Sequence, residues 1–112
     1  MTDFRRACTL ADLPEQGAVR VTVDGEVLAV VRDDGDVHVI SDTCTHQDVS
    51  LAEGEVEDGE IECWLHGSRF DLATGRPTCL PATRPVAVYP VTIDGEDVLV
   101  DIDHPLNQEK SA

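Results

Sequence analysis

Two short mixed pairs, Cys44-Thr45-His46 and Cys63-Trp64-Leu65-His66, constrain this chain more than any other feature. Each supplies one thiol and one imidazole, and sixteen residues separate His46 from Cys63. Thiolate and imidazole are both good ligands for zinc and for iron. Structural zinc sites usually pair like with like, as C-x2–4-C and H-x3–5-H, so the mixed pairs disfavour zinc. One Cys and one His from each of two loops is the donor set of a [2Fe–2S] centre with both histidines on one iron. Two loops that clamp such a centre can take their order from it instead of from a broad apolar core.

The rest of the chain reads as strand. Val19-Arg20-Val21-Thr22-Val23 alternates, Asp24-Gly25 turns, and Val27-Leu28-Ala29-Val30-Val31 returns. Asp-Gly between two β-rich runs is a strong hairpin signal. The pattern recurs at Asp33-Asp34-Gly35-Asp36 before Val37-His38-Val39-Ile40, and at Asp94-Gly95-Glu96-Asp97 before Val98-Leu99-Val100-Asp101-Ile102. Short strands with such turns predict a sandwich or small barrel. No stretch shows sustained helical periodicity; Ala11 to Pro14 suits one short turn. From Ser41 to about Pro85 the alternation weakens while Cys, His, Gly and Pro concentrate, which predicts a loop-rich insert over residues 41–85. A chain of 112 residues is the length of one domain with one compact core. That domain is expected over 1–103, with a polar tail at 104–112 that frays.

Charge narrows the partners. Eight Lys+Arg against 23 Asp+Glu leave a net charge of −15. Such a surface repels phosphate backbones and anionic lipid, so no nucleic acid and no membrane is expected, and basic protein patches are. Asp42, Asp48, Glu53, Glu55, Glu57 and Asp58 lie close in sequence to the histidines and are the expected docking charges. No run approaches the ~18 apolar residues of a membrane span. The twin arginine Arg5-Arg6 is followed by Ala11-Asp12-Leu13-Pro14-Glu15 rather than by an apolar export segment, so it reads as basic residues on an edge strand and the location as cytoplasmic. In a reducing cytosol, cysteines are metal ligands or buried thiols rather than disulfides. Cys8 and Cys79 read as small buried hydrophobes, His38 as a solvent-facing strand residue, and His104 as part of the tail.

The residues Cys44-Thr45-His46, Cys63-x-x-His66-Gly67-Ser68-Arg69-Phe70-Asp71, Thr74-Gly75 and the stretch Leu80 to Pro85 resemble the Rieske iron–sulfur family, specifically its small soluble ferredoxins. The likeness runs over about residues 4–102, with Leu10 to Pro14 similar to the usual entry and Tyr89-Pro90-Val91 and Val98 to Asp101 similar to the final strands. It implies an all-β Rieske iron–sulfur fold: stacked antiparallel sheets with a small loop-rich cluster-binding subdomain. It also implies one [2Fe–2S] cluster, with Cys44 and Cys63 on one iron and His46 and His66 on the other through Nδ1. Many members have proline after the second cysteine. Trp64 stands there instead, and is expected to be a packing residue able to shield one side of the cluster.

The resemblance also sorts the chain within the family. High-potential members carry two extra cysteines that bridge the ligand loops, at positions that are Val49 and Leu65 here, and a tyrosine where this chain has Phe70. Without that hydroxyl the reduction potential is expected in the lower part of a span of about −150 to +300 mV, with Ser68 still able to donate. The implied function is a one-electron carrier, not an enzyme. As a monomer it would take electrons from a flavin-dependent NAD(P)H reductase and pass them to a terminal, aromatic-ring oxygenase. The alternative is the small Rieske-like subunit of an NADH-dependent nitrite reductase, which often lacks the four ligands present here.

Overall fold

The structure is a computed structural model. It describes residues 4–43, 50–64, 67–79, 85–103 and 105–106. Among the described residues, eleven short strands form three antiparallel sheets, joined by two single-turn 3-10 segments, Leu10–Asp12 and Leu51–Glu53. The helical turn expected near Ala11 is therefore present, and an all-β class is correct.

The central sheet has the order β2-β3-β4-β9, from Gly17–Val23, Glu26–Asp33, Asp36–Ser41 and Val88–Tyr89. Its first two hairpins close on two-residue turns. Asp24 and Gly25 have φ of 49° and 87°, and Asp34 and Gly35 of 53° and 88°. Positive φ at both central residues marks the hairpin turn whose twist matches the flanking strands, which is why Asp-Gly is so strong a signal. A third such turn, Asp58-Gly59 (φ 56° and 78°), lies inside the insert.

Four consecutive residues of β3, Leu28, Ala29, Val30 and Val31, are fully buried. A strand buried on both faces loses its polar alternation, which explains the unbroken apolar run. Leu28 and Val30 join Val39, Tyr89, Val98, Val100 and Cys8 in one core. Ala29 and Val31 point the other way, to Ile40, Leu51, Val56, Ile61, Phe70 and Val88. The first core is closed by a sheet of order β1-β11-β10, from Arg5–Thr9, Asp97–Val100 and Val91–Asp94. Here β1 is an edge strand, and its Arg5 and Arg6 are exposed and paired with Asp24, Asp103 and Asp97, as the edge-strand reading required. The second core is closed by the insert, so the domain has an apolar core on each face of β3 where a single core was expected.

The insert is more regular than the sequence reading held. It carries its own sheet, β5-β6-β7-β8, from Glu55–Glu57, Glu60–Glu62, Arg69–Asp71 and Pro77–Cys79. Each of the first three is three residues long, with one buried apolar residue (Val56, Ile61, Phe70) between polar neighbours. Such strands are too short to show alternation, and their apolar residues pack on the scaffold's core rather than forming one of their own. Two polar contacts fasten this sheet to the scaffold. Buried Asp33 accepts from the Gln16 amide at 2.6 Å and from the Gly59 N–H, and the Gln16 amide also donates to the Val56 carbonyl at 3.0 Å. At the C-terminal end packing continues past residue 103: Pro105 is buried and the Leu106 N–H donates to the Val88 carbonyl at 2.6 Å.

Candidate metal centre

Of the four candidate ligands, Cys63 lies among the described residues; Cys44, His46 and His66 lie outside them, as do Asp48, Val49, Leu65, His104 and the stretch Leu80 to Arg84. The side chain of Cys79 is likewise outside the description. What the structure does place is the mouth of each loop that carries candidate ligands, called the first and second ligand loops below.

The first loop leaves the fold at Thr43 and returns at Ser50, which face one another as an isolated antiparallel bridge. The residue that secures this mouth is Asp42. Its carboxylate accepts from the Ser50 hydroxyl at 2.9 Å and from the Ala52 N–H at 3.0 Å, and the Arg20 guanidinium lies 3.5 Å away. Its own carbonyl accepts from the Leu51 N–H at 2.6 Å. Asp42 is only 2% exposed, so it is no docking charge, contrary to the sequence reading. A short acid beside a ligand loop looks the same in sequence whether it faces water or ties the loop shut. Glu53, Glu55, Glu57 and Asp58 are exposed, as a docking role needs.

The second loop is closed by Cys63 itself. Its N–H donates to the Ser68 carbonyl at 2.6 Å, and its carbonyl accepts from the Gly67 N–H at 3.0 Å. This two-way clamp sits between the ends of β6 and β7. Cys63 is 1% exposed and joins the core with Phe70 and Leu72, and Ser68 beside it is fully buried. Among the described residues no three His, Cys, Asp or Glu side chains converge as a metal shell.

The two mouths are neighbours. Thr43 and Ser50 from the first and Trp64 from the second line one cleft of about 330 Å³, together with Arg20, Val27, Asp42 and Glu53. Gly54 brings their roots into backbone contact: a Cβ there would lie 1.6 Å from the Glu62 carbonyl oxygen, one residue before Cys63. Trp64 corrects the sequence reading. It is 52% exposed and is not a packing residue. The other cysteine described, Cys8, is buried as expected, and desolvation followed by the nearby Asp12 charge pushes its thiol above the ordinary range. His38 is half-buried on β4 at the wall of an acidic cleft with Asp33, Asp34, Asp36, Glu57, Asp58 and Asp71.

A thiol with its side chain inside the fold, on a loop whose root touches that of the other ligand loop, fits a group held between them. Comparison with known proteins agrees. The family model of the Rieske [2Fe–2S] domain matches residues 3–90. The ferredoxin component of a naphthalene 1,2-dioxygenase system from Pseudomonas aeruginosa is 40% identical over 96 residues, 86% of this chain and 92% of that protein. The ferredoxin of carbazole 1,9a-dioxygenase from Nocardioides aromaticivorans IC177 superposes with a TM-score of 0.83 at 40% identity, over 88% of this chain and 97% of that one. A ferredoxin solved in complex with the oxygenase of carbazole 1,9a-dioxygenase gives 0.81 at 33% identity, over 90% and 94%. A protein described as a nitrite reductase NADPH small subunit gives 0.78 at 23% identity, over 89% and 98%, a likeness of fold alone.

Proposed function

This chain belongs to the Rieske [2Fe–2S] family, and from that premise we propose that Cys44 and Cys63 hold one iron of its cluster while His46 and His66 hold the other. The protein is a carrier and not an enzyme: it is a ferredoxin component of the kind that serves ring-hydroxylating dioxygenases. The observation that carries this is the reach of the likeness, which takes in 86% of this chain and 92% of a ferredoxin component, so the match is to a carrier over almost its whole length. The cluster supplies reversible one-electron chemistry at a single site. The protein's own part is to hold the two ligand loops together, through Asp42 and the Cys63 clamp, and to keep Cys63 out of water.

The partners follow from the same reading. The terminal oxygenase takes the electron, and a flavin-dependent NAD(P)H reductase supplies it. The molecule works in the cytoplasm as a monomer, with one Rieske domain over residues 1–103 and a polar tail at 104–112 whose Pro105 is buried and whose Leu106 N–H bonds back to Val88. No helix among the described residues is long and apolar enough to cross a membrane.

Analysis of the purified protein should find two irons and two inorganic sulfides per chain. Replacing His66 with Ala should abolish the EPR signal of the reduced form that two-histidine ligation produces. A colourless, folded protein with stoichiometric zinc would refute the ligand assignment.

A further inference from the structure

We propose that the cleft beside Trp64 is the notch in which the terminal oxygenase places a basic side chain, an arginine or lysine, over the indole ring with Glu53 as its counter-charge. The inference rests on the carrier reading above and adds to it the contact that recognises the partner.

Three observations converge on it. First, Trp64 is 52% exposed in a chain with four aromatic residues, and the other two whose side chains are described as core, Phe70 and Tyr89, are buried. A half-exposed indole leaves apolar area in water that a partner can cover, and tryptophan is enriched among the residues that dominate binding at interfaces. Second, its place is specific. It follows Cys63 directly, it precedes His66 by two residues, and it shares the cleft with Thr43 and Ser50 at the mouth of the other ligand loop. A protein docking here lies against the roots of both loops. Third, the charge in the cleft is negative. Asp42 is committed to Ser50, Ala52 and Arg20, which leaves the exposed carboxylate of Glu53, with no ion-pair partner among the described residues. The face of a tryptophan attracts a cation within about 6 Å of its centroid, more strongly than other aromatic faces do. An indole face and an unpaired carboxylate in one cleft therefore select a guanidinium or ammonium group. The overall charge of −15 steers a basic surface toward it.

The test is the affinity of the oxidised holoprotein for a terminal oxygenase, measured by titration calorimetry at low salt. The probe is the carbazole 1,9a-dioxygenase oxygenase of Nocardioides aromaticivorans. Trp64→Leu keeps apolar bulk but loses the aromatic face, and should raise Kd about tenfold, whereas Trp64→Phe should raise it only about threefold. Glu53→Gln should also raise Kd about threefold, as a partly exposed charge pair does. The double variant Trp64→Leu/Glu53→Gln should lose less than the product of the two single effects, because both groups act on one cation. An unchanged visible spectrum and reduction potential will show that each variant keeps its cluster. If Trp64→Leu does not, Trp64→Phe and Glu53→Gln and their combination carry the same test. Wild-type affinity in the variants, or losses that multiply exactly, would overturn the notch. Failure of the wild type itself to bind the oxygenase would instead count against the carrier reading.

Discussion

Asp42 shows how much one buried acid can organise. It spans the mouth of the first ligand loop, bonding the Ser50 hydroxyl and the Ala52 N–H with one carboxylate oxygen and facing Arg20 with the other. Hydrogen bonds to a charged acceptor are worth about 1.5–3 kcal/mol each in net stability, and a buried donor left without its partner adds a desolvation cost. The exposed Arg20 contributes little to this, since surface ion pairs are weak. Asp42→Ala removes two such bonds and should therefore lower the unfolding free energy by about 3 kcal/mol or more in urea titration. It should also speed the loss of iron to a chelator, because the loop that bears Cys44 and His46 loses its closure. Unchanged iron release in a destabilised Asp42→Ala variant would show that the mouth need not be closed for the ligands to hold.

The insert sheet β5-β6-β7-β8 is an element that cannot stand alone. Its first three strands each bury one apolar side chain, and they do so against Ala29, Val31 and Ile40 of the central sheet. Two turns do the positioning. Asp58-Gly59 closes the β5–β6 hairpin and is caught by Asp33, and Gly54 lets the chain after the first ligand loop touch the backbone before the second. At Gly54 the obstacle is a backbone carbonyl, which cannot swing aside as a flexible side chain can. Gly54→Ala must push β6 away and should cost about 3 kcal/mol, the upper part of the usual range for overpacking. It should also reduce the iron bound per chain, since the displaced strand leads directly into Cys63. Gly25→Ala makes the matched control: its added Cβ meets nothing within 4 Å, so it tests the φ of 87° alone and should leave iron content unchanged.

Considered whole, the molecule is a highly charged shell on a small apolar centre, and pH acts on both. Cys8 and Tyr89 sit in the core between the central sheet and the β1-β11-β10 sheet. Burial raises the Cys8 thiol above its ordinary value of 9.0, with Asp12 adding to it, and burial raises the Tyr89 phenol above 10.0, with Glu26 adding to it. Both groups are protonated in the folded and unfolded chain at neutral pH, so their stabilising share is complete below about pH 9. As pH rises past the unfolded values, the unfolded chain releases these protons first, and stability falls through the folded values. Urea midpoints should thus hold up to about pH 9 and decline as pH rises beyond it, and decline less in Cys8→Ala, which removes one of the two groups. Equal slopes for the two proteins would exclude Cys8 as a contributor.

Much of this was legible along the chain. The Asp-Gly turns marked the scaffold hairpins because a two-residue turn with positive φ is a local requirement, set by dihedral sterics and visible in two letters. The paired Cys and His pointed to the family because a metal's donor set is written in residue types and spacing. The polar roles were not legible, since they depend on which backbone a side chain meets across the fold. Asp42 and Asp58 are both acids near a ligand loop, yet one is buried as a tie and the other is exposed in a turn. Gly54 is one of eight glycines until the Glu62 carbonyl is seen against it. Trp64 read as core from its composition, because a lone tryptophan usually is. Its exposure was decided by the loop clamp at Cys63, which turns the thiol inward and leaves the next side chain outside. Local sterics and donor chemistry are properties of a few adjacent residues; burial and long-range hydrogen bonding exist only once the sheets have packed.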